Sequence, residues 1–223
     1  MRRVLLLLLA PALACGGKGG GGPAPPLGVV QQGIATYYDF ANGDGACSFG
    51  PSPGDLDVTA LNAEQWDGSR ACGACALVTG PKGQVVVRIV DLCPECKSGH
   101  LDLSPQAFAK VAELSAGRVN ISWVLQPCDV SGNLRYQIKD GSSQWWTAIQ
   151  VRNHRQPIQS LAYEKNGAWV DVPRSDYNYF VAEGGTGTGA IHVRTTSWDG
   201  QVLEDTLPGP NSEAVYDGQG QFQ

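Results

Sequence analysis

Apolar and polar positions alternate in short runs along this chain, and Gly, Pro, Asn or Asp interrupt them every few residues. Val85-Val86-Val87-Arg88-Ile89-Val90 is a mostly β-branched run and reads as a buried strand. Gly80-Pro81-Lys82-Gly83 turns into it from Ala76–Thr79, which predicts a hairpin. Gly33–Phe40, Val58–Leu61 and Val119–Leu125 complete the strands of a first region. In the first of these, a period of two sets Thr36, Tyr38 and Phe40 on one face and Tyr37 and Asp39 on the other. Helical spacing occurs once, at Phe108, Val111, Ala112 and Leu114. Ser104 caps that helix, Pro105 takes its first position and Gly117 ends it.

A second pattern begins near Asn133, after the last cysteine. Strands are predicted over Leu134–Ile138, Trp145–Val151, Ala162–Glu164, Ala168–Val172, Ala190–Thr196 and Gln201–Leu207, with Lys165-Asn166-Gly167 as a hairpin turn. Such spacing suits a small β-sandwich. The boundary falls near residues 129–132, a link too short for free tumbling. The richness in turn formers, 29 Gly and 14 Pro, agrees with a β architecture.

The N-terminus reads as an export signal over residues 1–14: a basic Met1-Arg2-Arg3, an apolar Val4–Leu9 too short to span a bilayer, and small residues before Cys15. Cys15 followed by a Gly-rich stretch resembles a bacterial lipoprotein signal, with Ala12 where that motif has Leu. An ordinary secretory signal is the alternative. In the first case Cys15 is acylated and residues 15–32 are a flexible tether. The formal charge of −5 argues against nucleic acid or an anionic membrane surface as main partners. Cys47, Cys72, Cys75, Cys93, Cys96 and Cys128 remain, an even number that fits three disulfides in an exported chain. The two C-x-x-C pairs, Cys72/Cys75 and Cys93/Cys96, also have the spacing of a zinc ribbon.

Candidate chemistry centres on residues 91–105. Asp91 falls at the end of the central strand, Cys93-Pro94-Glu95-Cys96 makes a tight loop, and Asp102 precedes the helix. Two carboxylates on rigid elements around one loop suit a polysaccharide site. The alternative is that Asp91 satisfies a turn and Asp102 supports the helix entry. In the second region, Trp145 and Trp146 point to opposite faces of a flat strand unless a bulge, or the mouth of the strand beside Gly141-Ser142-Ser143, exposes both. If both are exposed they form an apolar strip suited to sugar rings, extended by Tyr177.

Together, Gly33–Tyr38, Val90–Glu95, Leu101–Phe108, Tyr136–Trp146, Ala148–His154, Asp176–Asn178 and Asp205–Pro208 resemble the bacterial type of expansin over nearly all of residues 33–223. The resemblance implies a six-stranded double-psi β-barrel (33–129) followed by an immunoglobulin-like, cellulose-binding β-sandwich (133–223). It implies loosening of plant cell walls without hydrolysis. It assigns Thr36, Asp91 and Asp102, with Tyr38 on the same strand face as Thr36, to a polar groove, and Trp145, Trp146 and Tyr177 to an aromatic platform with Lys139 nearby. It also implies the pairs Cys47–Cys72 and Cys75–Cys128. Cys93 stands where bacterial relatives have Tyr, so a Cys93–Cys96 clip replaces an aromatic. The acidic charge departs from the many basic relatives and argues against tight binding to pectin.

An endoglucanase family shares this barrel and needs an acid and a base about 6.5–9.5 Å apart. Asp102 resembles the acid, but the base position is Phe40, with Asp39 one residue out of register and Asp44 on a loop. The expectation is therefore a non-enzymatic, monomeric, exported protein without cofactor or metal. Its partners are cellulose and matrix polysaccharides, and it meets a membrane only through a lipid anchor. A weak hydrolase, a lytic transglycosylase on peptidoglycan, and a carbohydrate-binding lipoprotein with an inert barrel are the alternatives. His100 and His154 are assigned no catalytic role.

Overall fold

The fold is seen in a computed structural model that describes residues 23–39 and 41–223. The signal and Cys15 therefore lie outside the described residues, as does Phe40. Six strands close a barrel in the order β1 (Gln31–Tyr37), β5 (Leu101–Leu103), β2 (Val58–Asn62), β4 (Gln84–Cys93), β3 (Cys75–Thr79) and β6 (Val119–Gln126). Two pairs are parallel, β1 with β5 and β2 with β4, and the rest antiparallel; this is the double-psi barrel. Val78, Val87, Ile89, Leu101, Leu103 and Trp123 fill its core.

Two four-stranded sheets follow. One runs β10 (Ala168–Val172), β9 (Ile158–Lys165), β12 (Ile191–Ser197), β13 (Val202–Leu207). The other runs β11 (Phe180–Ala182), β8 (Thr147–Arg152), β7 (Arg135–Ile138), β14 (Val215–Asp217). A shared core of Tyr136, Ile149, Leu161, Val193 and Phe222 makes them a sandwich.

Three local features differ from the sequence-based expectation. The strand holding Val85–Val90 runs on to Cys93, so Asp91 lies inside β4. There a bulge intervenes: Thr59 pairs with Ile89 but Ala60 with Asp91, leaving Val90 unpaired. Strict alternation would send Asp91 inward with Val85, Val87 and Ile89. The extra residue reverses the parity, and Leu92 packs towards the core in its place. The helix α1 (Pro105–Val111) is shorter than its apolar spacing predicts. Ser104 caps it, its Oγ accepting from Ala107 N at 3.1 Å. Lys82 N donates to the Val111 carbonyl at 2.9 Å, taking the acceptor that a further turn would use; Ala112 is extended and Leu114 opens a separate 3₁₀ turn. Lastly, β1 starts at Gln31, and residues 23–30 lie against the body of the protein. Ala24 and Leu27 pack on the barrel core, and Gly28 N donates to Leu125 O at 2.9 Å.

Barrel and sandwich are joined by direct bonds. The carbonyl of Cys47 accepts from Gln150 Nε2 at 2.8 Å and from Asn178 Nδ2 at 3.1 Å. Ser69 Oγ donates to Ser175 O at 2.7 Å, and Cys128 N to Arg155 O at 2.8 Å. His154 is buried against Gly73 at this junction, and desolvation, with Arg174 nearby, lowers its pKa to about 3. All six described cysteines are bonded, as Cys47–Cys72, Cys75–Cys128 and Cys93–Cys96, which leaves no thiolates for a zinc ribbon.

Candidate functional site: a polar groove and an aromatic strip

The polar cluster grows out of strand register. β1 and β5 run parallel with Thr36 opposite Asp102, so alternation turns both outward while Ala35, Leu101 and Leu103 are buried. Thr36 Oγ1 donates to Asp102 Oδ1 and lies 2.9 Å from His100 Nε2. Since the hydroxyl proton goes to the carboxylate, the imidazole donates to Thr36. A chain His100–Thr36–Asp102 results, and it leaves Asp102 Oδ2 free of protein partners among the described residues.

Electrostatics follow from burial. Desolvation raises the Asp102 pKa above its ordinary 3.8; the Thr36 bond and His100 oppose the shift, and Glu95 and Asp91 add to it. Desolvation lowers the His100 pKa below its ordinary 6.5, against the opposing charge of Asp102. The Tyr38 phenol is pushed far above its usual value, first by burial and then by the Asp91 and Asp102 carboxylates. Its hydroxyl is buried with no partner among the described residues. Tyr38 packs on Ala60 and the Cys93–Cys96 pair, so the clip forms the floor under the ring.

Asp91 and Asp44 are bonded to backbone. Asp91 Oδ1 accepts from Ala46 N at 2.7 Å and Leu92 N at 2.8 Å, pinning the loop before Cys47 to β4. The Asp44 carboxylate accepts from Gly45 N and Gly50 N within its own loop, and Asp39 is exposed. His100, which the sequence leaves either beside the polar residues or in a solvated loop, stands at Thr36. The signal for it was alternation: two residues before Asp102, it shares that residue's outward parity.

The two adjacent tryptophans sit at the mouth of β8. Trp145 and Trp146 precede the strand in a turn closed by Ser143 N donating to Trp146 O at 2.7 Å. Thr147 Oγ1 ties the turn to Ser143 O at 2.9 Å, and Gly187 N caps Gln144 O at 3.2 Å. Gly185, at φ +67°, passes so close to Gln144 and Trp145 that no side chain fits there. Trp145 is left 74% exposed and Tyr177 40%. Trp146 and Tyr177 line one shallow cavity of about 340 Å³. Lys139 Nζ stands 5.8 Å over the ring of Tyr179, which lies 5.9 Å from that of Tyr177.

A family described as lytic transglycolase matches residues 58–123, the greater part of the barrel. Over 183 residues the chain is 42% identical to Expansin-YoaJ of Bacillus subtilis (strain 168), an alignment that covers 80% of this chain and 78% of that protein. This chain belongs to the expansin family. Expansin-like protein 1 of Dictyostelium discoideum is 31% identical over 208 residues, covering 87% of this expansin and 72% of its relative. Among solved structures, apo expansin of Clavibacter michiganensis superposes with a TM-score of 0.79 at 31% identity, over 87% of this chain and 98% of that one. A mutant of that protein in complex with cellohexaose also superposes at 0.79, with 30% identity and the same coverage. The match spans both barrel and sandwich, so this expansin shares the two-part architecture of those structures.

Proposed function

We propose that this expansin binds cellulose and matrix glucans and loosens plant cell walls by disrupting non-covalent contacts between polysaccharides, without cleaving them. The observation that carries the reading is Asp102: a half-buried carboxylate whose one oxygen is fixed by Thr36 while the other is free to accept glucan hydroxyls. Hydrolysis with inversion needs a second carboxylate to activate a water. Asp91 and Asp44 are already bonded to backbone N–H groups, and Glu95, the other carboxylate whose charge reaches Asp102, sits exposed in the Cys93–Cys96 loop. Trp145, Trp146, Tyr177 and Lys139 supply residence on the fibre. The cellohexaose complex of the Clavibacter relative supports a glucan as ligand. Three disulfides fit export to an oxidising compartment, where the protein acts as a monomer.

Two assays on one purified sample test this. Creep of a clamped, heat-inactivated plant wall is expected with no new reducing ends from cellulose, xyloglucan or peptidoglycan. Reducing ends, or anhydro-muropeptides, rising with protein concentration and lost in Asp102→Asn would instead establish the lytic reading that the family match to residues 58–123 favours.

Creep is also expected to depend on pH in one direction. The ionised Asp102 is the acceptor, so creep falls as pH drops through its raised pKa, with a midpoint above 3.8. Stability linked to the same group changes the other way. The folded pKa exceeds the unfolded one, so the native state binds more protons, and stability rises as pH falls through that window. Loss of creep in acid, measured beside a melting curve, therefore reports the groove. A midpoint at or below 3.8 would remove Asp102 as the acceptor.

A further inference from the structure

We propose that the cleft between barrel and sandwich is a second binding site, one that takes an oxyanion carried by an acidic sugar and holds it with the guanidinium groups of Arg88, Arg135 and Arg152. The three arginines come from different elements (β4, β7 and the end of β8) and line one cavity of about 300 Å³. Asp55 is the one carboxylate in the lining.

Each guanidinium has a different share of partners. Arg88 Nη2 donates to Asp55 Oδ2 and Ser52 Oγ, both at 3.1 Å, while its Nε is buried without a partner among the described residues. Arg135 Nε pairs with Asp217 at 3.0 Å on an exposed rim. Arg152 donates only to neutral oxygens, Gln150 Oε1 at 2.5 Å and Ser48 O at 3.2 Å among them, and no described carboxylate lies within ion-pair distance. A half-buried cation without a counter-ion is costly. Burial, with the charges of Arg135 and Arg88, depresses the Arg152 pKa in spite of a hydrogen bond with the Tyr179 phenol. His154, in the same wall, is neutral and adds no charge. An anion in the cleft would relieve the repulsion among the arginines and supply the missing acceptor.

The cleft is built in advance. The guanidinium carbons of Arg88 and Arg152 lie 5.6 and 6.0 Å from the centre of the Phe49 ring, which fixes both heads. Planar forks held in this way suit a carboxylate or phosphate. The volume is at the lower end of the roughly 300–1,000 Å³ of ligand pockets, room for a sugar ring around the anion. The whole chain carries −5, so general attraction of anions does not account for such a site. The expectation that an acidic chain avoids pectin-like polymers would then hold for the surface at large and fail at this one cleft.

Calorimetry on the full chain tests the site with three titrants: trigalacturonate, inorganic phosphate and neutral cellotriose. Saturable binding of trigalacturonate is expected, undisturbed by cellotriose. Its Kd should weaken at least tenfold in Arg152→Gln and several-fold in Arg135→Gln. Arg135 is half-exposed, so that variant keeps the test alive if Arg152→Gln melts early. Phosphate binding without trigalacturonate binding, lost in the same variants, would keep the oxyanion site and assign its source to free phosphate. No saturable binding of either anion, or affinities unchanged in both variants, would overturn the proposal. None of these readings uses the groove or the tryptophans, so the outcome stands apart from the loosening assay.

Discussion

In Asp102→Asn, creep of a clamped wall is expected to fall below about a tenth of the wild-type rate, while adsorption to cellulose stays unchanged. Hydrogen bonds to a charged group contribute about 1.5–3 kcal/mol, and every 1.4 kcal/mol is about tenfold. The substitution keeps the shape and the bond from Thr36, because the amide oxygen can still accept. It removes the negative charge and replaces the free acceptor Oδ2 with a donor, so a glucan hydroxyl loses its acceptor. Asp102→Glu retains the charge but displaces it by a methylene, and should recover part of the rate. Undiminished creep in Asp102→Asn would sink the proposal that this carboxylate works on the glucan. Loss of cellulose adsorption in the same variant would show that groove and strip are not separable functions.

Replacing both Trp145 and Trp146 with Ala gives the converse result: weak adsorption with the groove intact. Covering one face of an indole buries on the order of 80 Å², or about 2 kcal/mol at about 25 cal/mol per Å². That corresponds to roughly 30-fold in Kd for a ring engaged flat on a sugar. Trp145 alone, the more exposed ring, should account for most of the loss. Trp146 lines the cavity with Tyr177, and its backbone carbonyl, which closes the turn before β8, is kept in the Ala variant. Creep should fall only at low protein concentration and recover as concentration rises. Adsorption isotherms within twofold of wild type would exclude the tryptophans as the platform.

The strands of both halves were legible because their chemistry is local. The β-branched run at Val85–Val90 and the Asn166-Gly167 turn each specify their element without help from the rest of the chain. Tertiary competition decided what the sequence did not reveal. The helix stops at Val111 because Lys82, almost thirty residues earlier, takes its carbonyl. The bulge at Val90 leaves no mark in a run of apolar residues, yet it turns Asp91 out of the core. Pro23–Val30 has the composition of a linker but finds a seat on the barrel through Ala24 and Leu27. At the site, Thr36 and Asp102 could be named individually. That they face one another follows from a parallel register, and that His100 completes the chain follows from the same register.

One backbone oxygen, that of Cys47, receives side-chain bonds from Gln150 and Asn178 across the seam between the two halves. Its own residue is tethered to Cys72, so the oxygen cannot drift. With the bonds from Ser69 to Ser175 and from Cys128 to Arg155, it opposes a hinge motion between barrel and sandwich. Under the function proposed above, a glucan that touched both the carboxylate and the rings would have to adapt to a held spacing, and slack chains at a fibre surface would do so more readily than chains locked in a crystal.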